Sequence, residues 1–262
     1  MTWIHSINWL YSASGFAVGL LVGFTGVGGG SLMTPLLVLL FGFHPATAVG
    51  TDLLYAGLTK SSGTLVHGLN RTVDWRIVGR LAAGSLPGTA ATLLALATID
   101  TSSARVGAAI NTVLGIALIL TAAALMARPW LQASVARFSD TWTERQAVLL
   151  TMALGLFLGV MVSLTSVGAG AIGVTVLLIL YPRMPTVRIV GSDIAHAVPL
   201  TLVAGAGHWY VGAVNWPLLG SLLIGSLPGI ALGSHFAPRI PDRVLRPIMA
   251  VTLLIVGTRL VA

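Results

Sequence analysis

Apolar residues fill this chain in long runs, and short polar gaps separate them at intervals that a bilayer would set. The runs are approximately Trp9–Phe43, Ala46–Leu69, Ile77–Ile99, Val106–Met126, Ala147–Tyr181, Val187–Val211, Leu218–Phe236 and Val244–Val261. A helix of about 20 residues crosses the hydrocarbon core. Six of the runs fit one span each, whereas Trp9–Phe43 and Ala147–Tyr181 are too long for one. Each over-long run contains a glycine tract, TGVGGGSLMTP (Thr25–Pro35) in the first and TSVGAGAI (Thr165–Ile172) in the second. Glycine disfavours helix by about 1 kcal/mol relative to Ala, so both tracts predict a break. Within a membrane such a break is tolerated only when it is buried in protein or lines a cavity. Beyond the first break Ser31 is positioned to cap a new helix, and the unpaired amides at that end form a ready anion site.

Composition sharpens the class. Of 262 residues 56% are apolar and 8% charged, with a mean hydropathy of +0.94. Soluble domains carry about 25% charged residues, so the pattern specifies an all-α polytopic membrane protein. Cysteine is absent, which excludes disulfides and thiolate chemistry. The net charge of +7 is no nucleic-acid signature, because the arginines sit in the gaps where they orient a membrane protein. The N-terminal stretch MTWIHSINWLYS lacks a basic leader and runs straight into the first apolar segment, so no cleaved signal peptide is expected.

The chain repeats itself. At an offset of 140 residues Thr25-Gly26-Val27-Gly28 falls on Thr165-Ser166-Val167-Gly168, and Gly30 on Gly170. At 141, Gly50-Thr51-Asp52 meets Gly191-Ser192-Asp193, His67 meets His208, and GSLPG at Gly84–Gly88 recurs at Gly225–Gly229. Residues 1–127 form a first repeat and 146–262 a second, joined by a cytoplasmic linker at 128–145. Eight single crossings would divide the arginines almost evenly between the two faces. If both over-long segments double back at their glycines, Arg71, Arg76, Arg80, Arg128, Arg137, Arg145, Arg183, Arg188, Arg239, Arg243 and Arg246 share one face. Only Arg105 and Arg259 then lie opposite, as the positive-inside rule requires. Each half becomes a glycine-broken helical hairpin followed by three transmembrane helices. The repeats are then inverted, both termini face outside, and the hairpin tips meet near the midplane.

The motifs GFTGVGGGSLMTPLL (Gly23–Leu37), HPATAVGTDLL (His44–Leu54), SLTSVGAGAIG (Ser163–Gly173), VGSDIA (Val190–Ala195) and the paired GSLPG resemble the TauE/SafE sulfite exporter family, also called the toluene sulfonate uptake permease superfamily. That resemblance covers nearly the whole chain. It implies a carrier in the cytoplasmic membrane for sulfite, thiosulfate or an organosulfonate.

Candidate chemistry follows from polar residues in apolar runs. Thr25, Gly28, Gly29, Gly30 and Ser31, with Thr165, Ser166, Gly168, Ala169 and Gly170, supply amides and hydroxyls for an anionic head. The bland alternative is close helix packing by small residues. Lys60, deep in Ala46–Leu69, costs about 2.5–3.5 kcal/mol at a bilayer centre. It either pairs with Asp52 or Asp193, or neutralises an anionic substrate. Asp52, Asp193 and His196 are the groups for H⁺ or Na⁺ coupling, although the two acids could equally accept the glycine-loop amides. Asp193 and His196 lie on one helix face, yet two ligands make no metal centre. His67 and His208 read as interfacial anchors beside Trp75, Trp209 and Trp216. No cofactor is expected, and the partners are the lipid bilayer, a small anion and a coupling ion, with the protein a monomer or homodimer. The chain is not read as an enzyme. The rival readings are an intramembrane hydrolase built on Asp193 and His196, and a non-transporting channel or scaffold subunit.

Overall fold

The computed structural model describes residues 8–25, 30–101, 103–135, 142–236 and 242–262. Those residues form helices and connecting turns, without strands. In chain order the helices are α1 (Trp9–Thr25), α2 (Gly30–Leu39), α3 (Pro45–Leu69), α4 (Trp75–Ala97), α5 (Ala104–Val135), α6 (Glu144–Thr165), α7 (Ala171–Leu180), α8 (Thr186–Tyr210), α9 (Trp216–Phe236) and α10 (Asp242–Val261). Among the described residues α4, α5, α6, α8 and α9 contain stretches long and apolar enough to cross a membrane. The protein is an all-α, multi-pass membrane protein.

Both over-long runs are broken where glycine accumulates. The second break is described in full. Helix α6 ends at Thr165, and Ser166 follows in the left-handed region at φ 60°. Gly168 and Gly170 then take φ 121° and 114°, values that a side chain would strain. Helix α7 starts at Ala171. Of the first break, residues 26–29 lie outside the described residues, and α2 starts at Gly30, so Ser31 stands inside the helix and not at its cap.

The chain doubles back at each break. Tyr11, near the start of α1, packs edge-on against Phe41 and Phe43, just beyond the end of α2, with ring centroids 4.9 and 5.7 Å apart. At the equivalent place in the second half, Thr151 of α6 meets Tyr181 at the end of α7 across 2.7 Å. In each half the second helix therefore returns to the level at which the first one entered.

Interlocked halves make the core. Close glycine contacts set the directions of the helices. Gly15, Gly19 and Gly23 of α1 rest on Leu222, Ser226 and Ile230 of α9, so this pair is parallel. In the same way Gly155 and Gly159 of α6 rest on Leu81 and Ser85 of α4. Helices α3 and α8 run antiparallel, with Gly50 against Ala213, Gly57 against Leu202 and Gly63 against Ile194. The contacts recur as equivalent pairs. Asn215 N–H donates to Thr51 Oγ1 at 3.0 Å, and Asp74 N–H donates to Ser192 Oγ at 2.8 Å. Gly50 abuts Ala213 and His208, while Gly191 abuts Thr72 and His67. Each contact thus has a counterpart in which the two partner segments exchange roles.

Local signals terminate and start the helices where the polar gaps lie. Asp74 caps α4 by accepting from the amides of Arg76 and Ile77. Asn215 accepts from Leu218 N–H at the start of α9. Thr143 and Gln146 form a capping box on α6. Helix α5 continues past the apolar run to Val135, so Arg128 lies within a helix and is buried.

Candidate functional site

The polar residues of the apolar runs gather where α2, α3, α8 and the second break meet. Asp52, on α3, is fully buried. Its Oδ2 accepts from the Thr34 amide at 3.1 Å and from the Thr34 hydroxyl at 2.5 Å. Thr34 stands in the first half of α2, so the first hairpin's return helix is fastened to α3 through a carboxylate. A carboxylate near a helix N-terminus also complements the helix dipole. Across from it stands Ser166, the left-handed residue of the second break. Asp52 Oδ1 and Ser166 Oγ are both buried without a hydrogen-bond partner among the described residues. One acid thus holds the first hairpin and faces the tip of the second.

Asp193 holds the matching place on α8. It is buried, faces the Gly170 amide at the head of α7, and lies against Gly173 so closely that any Cβ there would collide with its Oδ1. Lys60 completes the arrangement. This sole lysine of the chain is 8% exposed and lies within electrostatic reach of both Asp193 and Asp52. Among the described residues it forms a close ion pair with neither acid, unlike Arg80 with Glu144 and Arg188 with Asp74. Buried Arg128 acts on Asp193 from α5. Lys60 also borders an open cavity of about 310 Å³ whose other walls include Gly23, Thr59, Ser62, His67 and Ser234.

Several candidate ligands carry hydrogen bonds or packing contacts of their own. The Thr165 hydroxyl donates to Met161 O at 2.6 Å and accepts from Val167 N–H at 3.1 Å, so it ties down the end of α6. Gly168 O accepts from Gly173 N–H, and Ala169 packs on the main apolar core. Thr25 closes α1 and Gly30 and Ser31 open α2; Gly28 and Gly29 lie outside the described residues, as do the side chains of Thr25 and Ser31. His196 is buried and shares a 2.8 Å hydrogen bond with Ser85 Oγ. The equivalent pair is Tyr55 beside Ser226. A serine–histidine contact alone is not a hydrolytic triad, because His196 Nδ1 has no partner among the described residues.

The interfacial reading of His208 is overturned. Its ring is 2% exposed, and Nε2–H donates to the Ser163 carbonyl at 2.8 Å. Sequence reading also passed over Thr34, Ser85 and Arg128. The duplicated serine of GSLPG was a signal for the second; Thr34 and Arg128 needed the packing of α2 and α5.

Residues 11–260 match the sulfite exporter TauE/SafE family. The chain belongs to that family. Among curated members, it is 37% identical to the probable membrane transporter protein YjnA of Bacillus subtilis, over 94% of this chain and 97% of that protein. It is 28% identical to probable membrane transporter protein YdhB of the same organism, over 92% and 95% of the two chains. A probable membrane transporter protein of Xylella fastidiosa shares 26% identity over 87% of this chain and 84% of its own. No solved structure matches this chain. For this TauE/SafE member, membrane transport is therefore the activity within which the buried charges must be understood.

Proposed function

We propose that the protein is a secondary carrier for a small sulfur-containing anion (sulfite, thiosulfate or an organosulfonate) and works by alternating access between inverted repeats. The observation that carries this reading is Lys60, buried at the wall of an open cavity between two carboxylates. Each carboxylate sits at the head of a returning half-helix, and hairpins of that kind frame substrate sites in carriers built from repeats.

The charges suggest how coupling would arise. With Lys60, Arg128, Asp52 and Asp193 all ionised, the cluster is neutral. An entering monoanion, such as a sulfonate or hydrogensulfite, leaves one excess negative charge in a low-dielectric site, and a dianion leaves two. A proton on Asp52 or Asp193, or a cation beside one of them, removes one such charge. Asp52 Oδ1 and Ser166 Oγ, buried and unpartnered among the described residues, are the atoms we assign to that role. His196 lies farther along α8, bonded to Ser85, and would pass a proton only after that bond opens. The anion itself is held by Lys60 and the Gly168–Gly170 backbone, with Thr59 and Ser62 hydroxyls on the approach.

Orientation follows from arginine placement. The turn between α3 and α4, the end of α5 and the loop after α7 carry the arginine-rich face, which is assigned to the cytoplasm. The antiparallel run of α3 and α8 supports a pseudo-two-fold axis across the helices, as inverted repeats require. Both termini then lie outside, and the Lys60 cavity opens inward.

Proteoliposomes supply the test. Purified protein should exchange radiolabelled sulfite, thiosulfate or a sulfonate in counterflow. Lys60→Ala should abolish this exchange with membrane expression intact. Chemical turnover without flux would replace the carrier by an enzyme, and transport unchanged in Lys60→Ala would remove Lys60 from the site.

A further inference from the structure

The two halves carry the same gate parts in opposite states. Where helix α6 breaks, the carbonyl of Ser163 lies in its last turn, a place at which helix carbonyls lose their partners. His208 of α8 supplies the missing donor at 2.8 Å, and both residues are fully or almost fully buried. Leu93 of α4 closes over the same region, pressed onto Gly207. The matching residues of the other half are Gly23, His67 and Ser234. These three line the open cavity that reaches Lys60.

His67 is tied to its own loop. The Thr72 hydroxyl donates to the His67 carbonyl at 3.0 Å, so the 2.8 Å contact between Thr72 Oγ1 and His67 Nδ1 is donated by the ring. Ala213 stands where Thr72 does and has no hydroxyl to offer His208. The same backbone contact is kept in both halves, Thr72 N–H to His67 O and Ala213 N–H to His208 O. The sequence difference between Thr72 and Ala213 therefore parks one histidine and releases the other.

We infer that His208 and His67 are reciprocal latches. Nε2–H of His208 on Ser163 O seals one face in the conformation described. Nε2–H of His67 on Gly23 O seals the vestibule face in the alternate one, after His67 leaves Thr72. The inference rests on the carrier reading for its purpose, but the motion can be read without any substrate.

The chain has no native cysteine, so single cysteines report accessibility cleanly. Ser234→Cys reads the vestibule face and Leu93→Cys the sealed face, each with a membrane-impermeant maleimide on protein in liposomes. In a His208→Ala background, Leu93→Cys labelling should rise and Ser234→Cys labelling fall, the ratio of the two changing about fivefold, the population shift that loss of one hydrogen bond brings. His208→Gln retains a donor and should restore the parental ratio. Thr72→Ala should lower Ser234→Cys labelling, and His67→Ala should raise it. If labelling stays at the parental level in both His208→Ala and Thr72→Ala, the latches are overturned. Should His208→Ala fail to fold, Thr72→Ala alone decides, with the same criterion. Absence of sulfur-anion flux in the parent protein would overturn the substrate reading and leave the latches standing.

Discussion

Thr151 Oγ1 and Tyr181 Oη are 2.7 Å apart, at the two open ends of the second hairpin. The Thr151 proton is committed to Ala147 O at 2.6 Å, so the tyrosine donates. Arg80 of α4 in turn donates to the tyrosine oxygen at 3.2 Å. A helix, its returning partner and a neighbouring span are thereby joined at one phenol, and the first half closes the same gap with edge-to-face rings.

Tyr181→Phe removes both bonds and keeps the ring. It should lower stability by about 1–2 kcal/mol, read as a fall in the thermal midpoint in detergent. Thr151→Val removes the acceptor for Tyr181 together with the bond to Ala147 O and leaves Arg80 on the phenol, so it should cost about as much as Tyr181→Phe.

Gly225 lies where a Cβ would come within 1.8 Å of the Ser12 carbonyl oxygen, and Gly84 within 1.9 Å of that of Met152. Backbone cannot move aside as a side-chain end can. Alanine at either position should cost several kcal/mol, beyond the usual ~1–3 kcal/mol of overpacking, with loss of a monodisperse chromatographic peak. Gly79 and Gly220, an equivalent pair with open space around them, should accept alanine with stability unchanged or slightly raised.

Thr34 holds Asp52 with amide and hydroxyl together. Thr34→Val leaves the amide and should destabilise by about 1.5–3 kcal/mol, the range for a bond to a charged group. Thr34→Ser should restore most of that. Thermal unfolding of the three proteins side by side checks this, and equal stability of Val and Ser variants would deny the hydroxyl its role.

The proposed orientation has a direct check in intact cells. Cysteine placed at Ala262 should react with an impermeant maleimide from outside, whereas cysteine at Arg76 should react only after permeabilisation. The reverse pattern would turn the cavity toward the outside.

Much of the architecture was legible because it depends on local composition. Apolar runs, glycine tracts and arginine gaps act within a few residues, and the duplicated motifs identified which segments correspond. The reversal at each break was legible too, since only a hairpin collects the arginines on one face, and the contact of Tyr11 with Phe41 shows that hairpin closed. The ends of elements were less so: α2 begins one residue before Ser31, and α5 runs on to Val135, because helix continues through polar sequence wherever nothing stops it.

What the sequence by itself determined was the membrane class, the duplication, the breaks and the unusual charges Lys60, Asp52 and Asp193. Their partners were decided only by the tertiary structure. Thr34 reaches Asp52 across the turn between α2 and α3, while Ser85 reaches His196 and His208 reaches Ser163 because helices far apart in the chain were brought side by side. The physical reason is that a buried polar atom must find whatever donor or acceptor the neighbouring helix presents. Periodicity tells which face of a helix is apolar, but it carries no record of which helix that face will meet.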